Sequence, residues 1–304
     1  MSARYWYRAF GLLIRSDLSL PEYRESQPGH ADIVIRCGAA ARDLRKRIER
    51  SVDDIRGAHL TDHGMLMHVE RVGDFIIRDG REIDVSPLPD VEMNLLRLYL
   101  VGSVIGSLFH QRRQFVFHGA AVLSPKGVSI FVGPSGAGKS TLTAHLAKAG
   151  YPAFADDTLP LFEADQQIVV WPGAQVFKMW EDALQGIDQR TDPLPHVSKR
   201  YGKFFLDNPL PAPDQPERVA QVFVLERGEG FSIDRLSGLE AISALNDNTY
   251  RREIIGFLGH DASYLAQLGA LAEKLEFYRF IRPDDASRLP EAVEHLVAHW
   301  AGSK

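Results

Sequence analysis

The chain has almost no cysteine: Cys37 is its single thiol. One thiol forms neither an internal disulfide nor a cysteine-based zinc cluster, so a reducing cytoplasm is the expected setting. Long apolar runs are also scarce. The longest, 95–109, is broken by Arg97 and contains Gly102, Ser103, Gly106 and Ser107. A bilayer span needs about 20 apolar residues, so a buried helix is expected here and no membrane association. A targeting signal is not expected either, because the apolar stretch 9–14 is too short for a secretory core and Arg15 closes it. Neither charge dominates: 35 Lys+Arg stand against 40 Asp+Glu, a net charge of −5, which argues against a general nucleic-acid coat. Solenoid repeats are missing. With 45% apolar and 25% charged residues over 304 positions, the composition is that of a globular chain forming one large domain or two modest ones.

The first third reads as a β-rich domain, 1–88. The aromatic and aliphatic segment 5–15 predicts a strand, and Asp17, Pro21 and Glu22 a turn. Strands are expected over 33–35, 65–69, 75–77 and 83–85, with 39–50 a helix or exposed loop. Asp79-Gly80 between the last two strands is a hairpin signal, since both turn positions require positive φ. Pro87 and Pro89 mark the boundary, and a buried helix over 91–109 leads into a second domain, 89–304.

The most specific pattern is Gly133-Pro134-Ser135-Gly136-Ala137-Gly138-Lys139-Ser140, followed by Thr141. It satisfies GxxxxGK[ST] in full. Glycines let successive N–H groups turn toward phosphate oxygens, and the helix that follows brings its positive end to the same place. Lys139 can reach the terminal phosphates and the Ser140 hydroxyl a Mg²⁺. Strand formers at 128–132 precede the loop, helical spacing at 142–149 follows, and Gly150 is a natural stop. The bland alternative is a glycine-rich turn that binds nothing. Only the turn Ser124-Pro125-Lys126-Gly127 separates 118–123 from the strand before the loop. The two therefore form an antiparallel hairpin, and the loop is expected in a mixed sheet.

A short apolar strand then ends in Asp156-Asp157. Phosphoryl transfer needs one carboxylate to hold Mg²⁺ and one to accept a hydroxyl proton, and a chain turn at a strand end brings both to one site. A helix-cap or turn pair is the bland reading. His118 opens the hairpin strand and can tune or relay a proton at Asp156; a hydrogen-bonded structural histidine is the alternative.

Together, Phe117-His118-Gly119-Ala120-Ala121-Val122, the loop 133–140 and Phe154-Ala155-Asp156-Asp157 resemble the catalytic core of HPr kinase/phosphorylase. The resemblance implies an α/β fold of the HPr kinase/phosphoenolpyruvate carboxykinase type, a mixed sheet with a phosphate loop, plus the smaller β-rich amino-terminal domain. It implies ATP-dependent phosphorylation of a serine hydroxyl. Asp156 would be the general base supported by His118, Lys139 would bind phosphates, and Ser140 and Asp157 would bind Mg²⁺. The family's Arg-Gly-Leu-Gly-like segment does not occur, and the corresponding region begins Trp171-Pro172-Gly173. Phosphorolysis and HPr recognition are therefore not carried over. The amino-terminal segments 5–23 and 31–35 look like the start of HPr-kinase-like proteins of lasso-peptide biosynthetic clusters, which phosphorylate the C-terminal serine of a precursor peptide. A precursor peptide or protein bearing the acceptor serine is then the expected partner. The family's ring hexamers make a homo-oligomer one expectation.

A kinase transition state spreads negative charge over the transferred phosphoryl oxygens, so cations downstream of the loop are candidates for contact. These are Lys199, Arg200 and Lys203, then Arg251 and Arg252, with Lys178 a weaker one. Solvated loop and helix-surface charges are the alternatives. Strands are expected over 219–225, 231–233 and 275–281, and helices over 239–245, 252–258, 262–274 and 290–300. The leading reading is an ATP- and Mg²⁺-dependent peptide or protein serine kinase. A small-molecule kinase and a non-catalytic nucleotide switch compete with it. No Asn-Lys-x-Asp base-reading motif supports a guanine-specific enzyme.

Overall fold

Phe10 and Gly11 both hold positive φ, 55° and 72°, and this turns the expected single strand over 5–15 into a hairpin. A phenylalanine is a poor sequence signal for such a turn, because a side chain normally disfavours the left-handed region. The computed structural model describes residues 4–49, 57–180, 196–198 and 203–302. The chain divides into two compact units, Met1–Gln114 with Arg251–Asp261, and Phe115–Tyr250 with Ala262–Lys304.

The first unit is built on eight strands: β1 (Tyr5–Ala9), β2 (Leu12–Ser16), β3 (Arg24–Glu25), β4 (Ile33–Cys37), β5 (Gly57–Thr61), β6 (Gly64–Val69), β7 (Gly73–Arg78) and β8 (Glu82–Pro87). Their order is β3-β1-β2-β4-β8-β7-β6-β5. Asp79 and Gly80 form the expected β7–β8 turn, at φ 53° and 59°. Helix α1 (Ala40–Ile48) buries Ala41 and Leu44 against Leu66 and Ile76. The apolar segment is continuously helical over 93–111, as α2 (Met93–Tyr99), a π-helical turn (Leu100–Val104) and α3 (Ile105–Gln111). By length and composition it could cross a membrane, but 67% of its most apolar stretch is buried within the protein.

That helix belongs to the first unit rather than opening the second. The Gln111 side chain accepts from the Gly80 N–H at 2.9 Å and donates to the Ile77 carbonyl at 3.0 Å, tying the helix end to the β7–β8 hairpin. Pro87 and Pro89 end a strand without ending the unit, so the division falls after Gln114 and not at 88.

The second unit contains β9 (Val116–Ser124), β10 (Gly127–Val132), α4 (Lys139–Lys148), β11 (Ala153–Pro160), β12 (Phe162–Ala164), β13 (Gln167–Val170), β14 (Val176–Trp180), β15 (His196–Ser198), β16 (Lys203–Asp207), β17 (Glu217–Arg227), β18 (Ser232–Leu236) and α5 (Leu239–Asp247). Helix α6 (Glu253–Phe257) returns to the first unit, and α7 (Asp261–Lys274), β19 (Glu276–Arg282) and α8 (Leu289–Gly302) complete the second. The main sheet runs β11-β9-β10-β17-β13-β12, with β19 paired to both β17 and β18. β9 and β10 form the expected antiparallel hairpin, whereas β10–β17 and β17–β19 are parallel, so the sheet is mixed. Leu142 and Leu146 of α4 share one core with Phe131, Phe223, Leu296 and Trp300. A separate sheet, β14-β16-β15, was not legible from the sequence.

Candidate functional site

The glycine loop runs from the end of β10 into α4. Gly133 sits at φ 141°, and a β-carbon there would come within 2.9 Å of the Leu225 carbonyl oxygen. Gly136 and Gly138 hold φ 83° and 84°, and Gly138 is the residue from which α4 starts. These backbone angles explain why the pattern needs glycine at these places. At the amino end of α4 the Ser140 and Thr141 N–H groups precede the first possible intrahelical acceptor, because Leu142 is the residue that bonds Gly138. The Lys139 ammonium folds back over the loop and donates to the carbonyls of Gly133 (2.8 Å) and Pro134 (3.2 Å).

The aspartates are not at a strand end. β11 continues through them to Pro160, and Asp157 interrupts the alternation of faces with φ 83°. Asp156 accepts the Ser140 hydroxyl on one oxygen at 2.6 Å and the Lys178 backbone N–H on the other at 2.9 Å. Asp157 receives the Lys178 ammonium at 2.8 Å, and its second oxygen lies 3.2 Å from His118 Nδ1. The resemblance grouped Ser140 with Asp157 as Mg²⁺ ligands and His118 with Asp156; in the structure the direct contacts are Ser140 with Asp156 and His118 with Asp157. The left-handed turn at Asp157 directs its carboxylate toward the side occupied by His118, while Asp156 stays facing α4.

Lys178, the weakest sequence candidate, is central. Its strand neighbours Phe177 and Met179 are buried in the core beneath α4, and alternation sends Lys178 to the opposite face, onto the carboxylates. A single lysine inside the apolar segment Val-Phe-Lys-Met-Trp is the signal that could have found it. Tyr250 was also missed; its ring centroid lies 5.6 Å from that of His118.

Burial pushes the Asp156 carboxyl up, against the lowering effect of its Ser140 and Lys178 hydrogen bonds. Burial also opposes charge on Asp157, but the Lys178 ammonium and His118 outweigh it and hold this carboxyl far below the usual carboxylate range. Burial would lower Lys178, yet Asp157 keeps it above the ordinary lysine value. The two carboxylates thus differ in character: Asp156 is enclosed and costly to ionise, and Asp157 is firmly charged. A raised folded-state pKa means that the native protein holds its proton longer than the unfolded chain, so Asp156 erodes stability as pH rises above the ordinary carboxylate value. Asp156→Asn is expected to raise the thermal midpoint at neutral pH in EDTA. The gain should vanish at acid pH, where the wild-type carboxyl is protonated in both states; an equal gain at both pH values would contradict this assignment.

Two arginines absent from the sequence-based candidates flank the loop. Arg227 ends β17 and donates to the Gly136 carbonyl at 3.1 Å, and Arg282 ends β19 and donates to the Ala137 carbonyl at 2.6 Å. Of the expected cations, Lys199 and Arg200 lie outside the described residues, as does the side chain of Lys203. Arg251 and Arg252 fall in the first unit, where Arg251 donates to the Ser103 hydroxyl at 3.0 Å and lies 3.8 Å from Glu253. Among the described residues no group of three or more His, Cys, Asp or Glu forms a self-sufficient metal cage. Ser140 and Asp156 present two hard oxygens side by side, a donor set suited to a Mg²⁺ whose other ligands are water and phosphate.

No protein-family model matches this chain, and no curated protein does. Among solved structures it is similar to the HPr(Ser) kinase/phosphatase from Coxiella burnetii, with 14% identity over 60% of this chain and 88% of that one, at a TM-score of 0.34. At that score the likeness assigns no residue a role.

Proposed function

We propose that the loop 133–141 binds ATP, that Ser140 and Asp156 hold its Mg²⁺, and that the chain transfers the γ-phosphoryl group to a serine hydroxyl of a peptide or protein. The observation that carries this reading is the Ser140–Asp156 contact beneath a complete glycine loop, with the Asp157–His118 pair beside it. A nucleotide-binding turn alone has no need of the second carboxylate.

When bound, Mg²⁺ neutralises charge on the phosphate oxygens. Lys139 exchanges its loop carbonyls for phosphate oxygens, and the backbone N–H groups at the start of α4 orient the phosphates. Asp157 receives the hydrogen bond of the acceptor hydroxyl. As the new O–P bond forms, the O–H proton passes to its carboxylate and the bridging oxygen leaves with ADP. A loose phosphoryl-transfer transition state asks for little deprotonation of the nucleophile, so a firmly ionised carboxylate that orients the hydroxyl suffices. His118 holds Asp157 in place. The resemblance of segments 5–23 and 31–35 supports the narrowest acceptor, the C-terminal serine of a lasso-peptide precursor.

The test is mass spectrometry of such a precursor after incubation with the protein, ATP and Mg²⁺. A gain of one phosphate on the terminal serine is expected. Phosphorylation of a different protein or of a free alcohol would replace the acceptor, and ATP binding without transfer to any of them would reduce the chain to a nucleotide-dependent switch.

A further inference from the structure

The carbonyl oxygens of the glycine loop are held by cations. Lys139 takes Gly133 and Pro134, Arg227 takes Gly136, and Arg282 takes Ala137. In a trans peptide the carbonyl and the following N–H point in opposite directions. A grip on the Ala137 carbonyl therefore turns the Gly138 N–H the other way. The grip on Gly136 directs the Ala137 N–H back to the Pro134 carbonyl, to which it bonds at 3.1 Å, closing the turn of the loop.

The two arginines form a built pair. They are direct register partners at the carboxyl ends of the parallel strands β17 and β19, and Gly228 N–H bonds the Arg282 carbonyl at 3.0 Å. Arg227 is also braced by Asp284 at 2.8 Å. Arg282 is 6% exposed, and its Nε is buried without a hydrogen-bond partner, a costly placement for a group kept only for packing. Its guanidinium occupies the space that a β-carbon on Gly138 would need, so this glycine is matched to this arginine as well as to its backbone angle.

We propose that Arg227 and Arg282 are positioning residues that set the peptide orientations of the glycine loop and thereby its affinity for nucleotide, without touching the transferred group. This rests on the nucleotide-binding reading above. A shorter lysine cannot reproduce the planar fork of Arg282 even though it keeps the charge.

The test is calorimetric titration of the full chain with ADP and Mg²⁺, together with transfer rates at varied ATP. Loss of a charge-assisted hydrogen bond predicts that Arg282→Lys raises the ADP Kd by about tenfold. Arg227→Gln should raise it by a smaller factor. In both, KM for ATP should rise while kcat at saturating ATP stays near the wild-type value. Arg279→Gln, on the same strand but directed at Glu226 and Glu240, should leave the Kd unchanged. Should Arg282→Lys fail to fold, the half-exposed Arg227 decides the matter. An unchanged Kd in the folded variants overturns the proposal alone, as does a fall in kcat with Kd intact, which would place the arginines on the reacting phosphoryl group. Failure of the wild-type chain to bind ADP overturns this proposal and the nucleotide reading together.

Discussion

Asp157→Asn is expected to lower phosphoryl transfer by about 100- to 10,000-fold, the range over which a positioned proton acceptor contributes. Nucleotide affinity should stay near the wild-type value, because Asp157 is tied to Lys178 and His118 and not to the loop. Asparagine keeps the shape but removes the charge that, on the proposed reading, would accept the hydroxyl proton. The contrasting variant is Asp156→Asn, which should raise the Mg²⁺ concentration needed for half-maximal rate, since it weakens one of two hard-oxygen donors. Rates measured across a Mg²⁺ titration separate the two roles. If Asp156→Asn abolished transfer at saturating Mg²⁺ while Asp157→Asn remained active, the proton acceptor would be Asp156, as the family resemblance implies.

The second large effect is on stability. Lys178→Met removes the cation facing Asp157 and leaves a largely enclosed carboxylate with His118 beside it. Breaking a buried ion pair in this way is expected to cost about 3 kcal/mol, a loss that urea denaturation at neutral pH would read. The penalty has a definite pH dependence. Asp157 has a depressed folded-state pKa, so its favourable contribution is present above the ordinary carboxylate range and is lost as pH falls through the folded-state value. In the variant the carboxyl titrates higher, so the difference from wild type should shrink on acidification as protonation relieves the stranded charge. The double variant Lys178→Met, Asp157→Asn should recover most of the stability, because no unpaired charge remains, and should not recover transfer. A double variant as unstable as the single one would show that Lys178 stabilises through packing.

Much of the second unit was readable in advance because its signals are local. The Ser124-to-Gly127 turn is too short for anything but an antiparallel connection, and beside the parallel β10–β17 pairing that hairpin makes the sheet mixed. The 133–140 pattern placed strand, loop and helix because three glycines there adopt positive φ. In the first unit, Asp79-Gly80 announced its hairpin, whereas Phe10-Gly11 did not, since one of its two left-handed residues carries a large side chain that packs 5.1 Å from Phe109. The unit boundary was missed for a related reason. Prolines at 87 and 89 are local signals, and the Gln111 bonds that bind the helix to the β7–β8 hairpin span more than thirty residues.

The sequence by itself determined which chemistry-bearing residues exist and where the loop lies: Lys139, Ser140, the paired aspartates and His118 follow from short-range patterns. Only the tertiary structure decided which partner each one has. Strand alternation would have placed Asp156 and Asp157 on opposite faces, and a single left-handed residue reassigned them, giving Ser140 to Asp156 and His118 to Asp157. Lys178, Arg227 and Arg282 reach the site from strands that begin at Val176, Glu217 and Glu276, far along the chain from the loop. Their roles depend on sheet register and on which side of a strand faces the loop, and these are fixed by long-range pairing that no local pattern encodes.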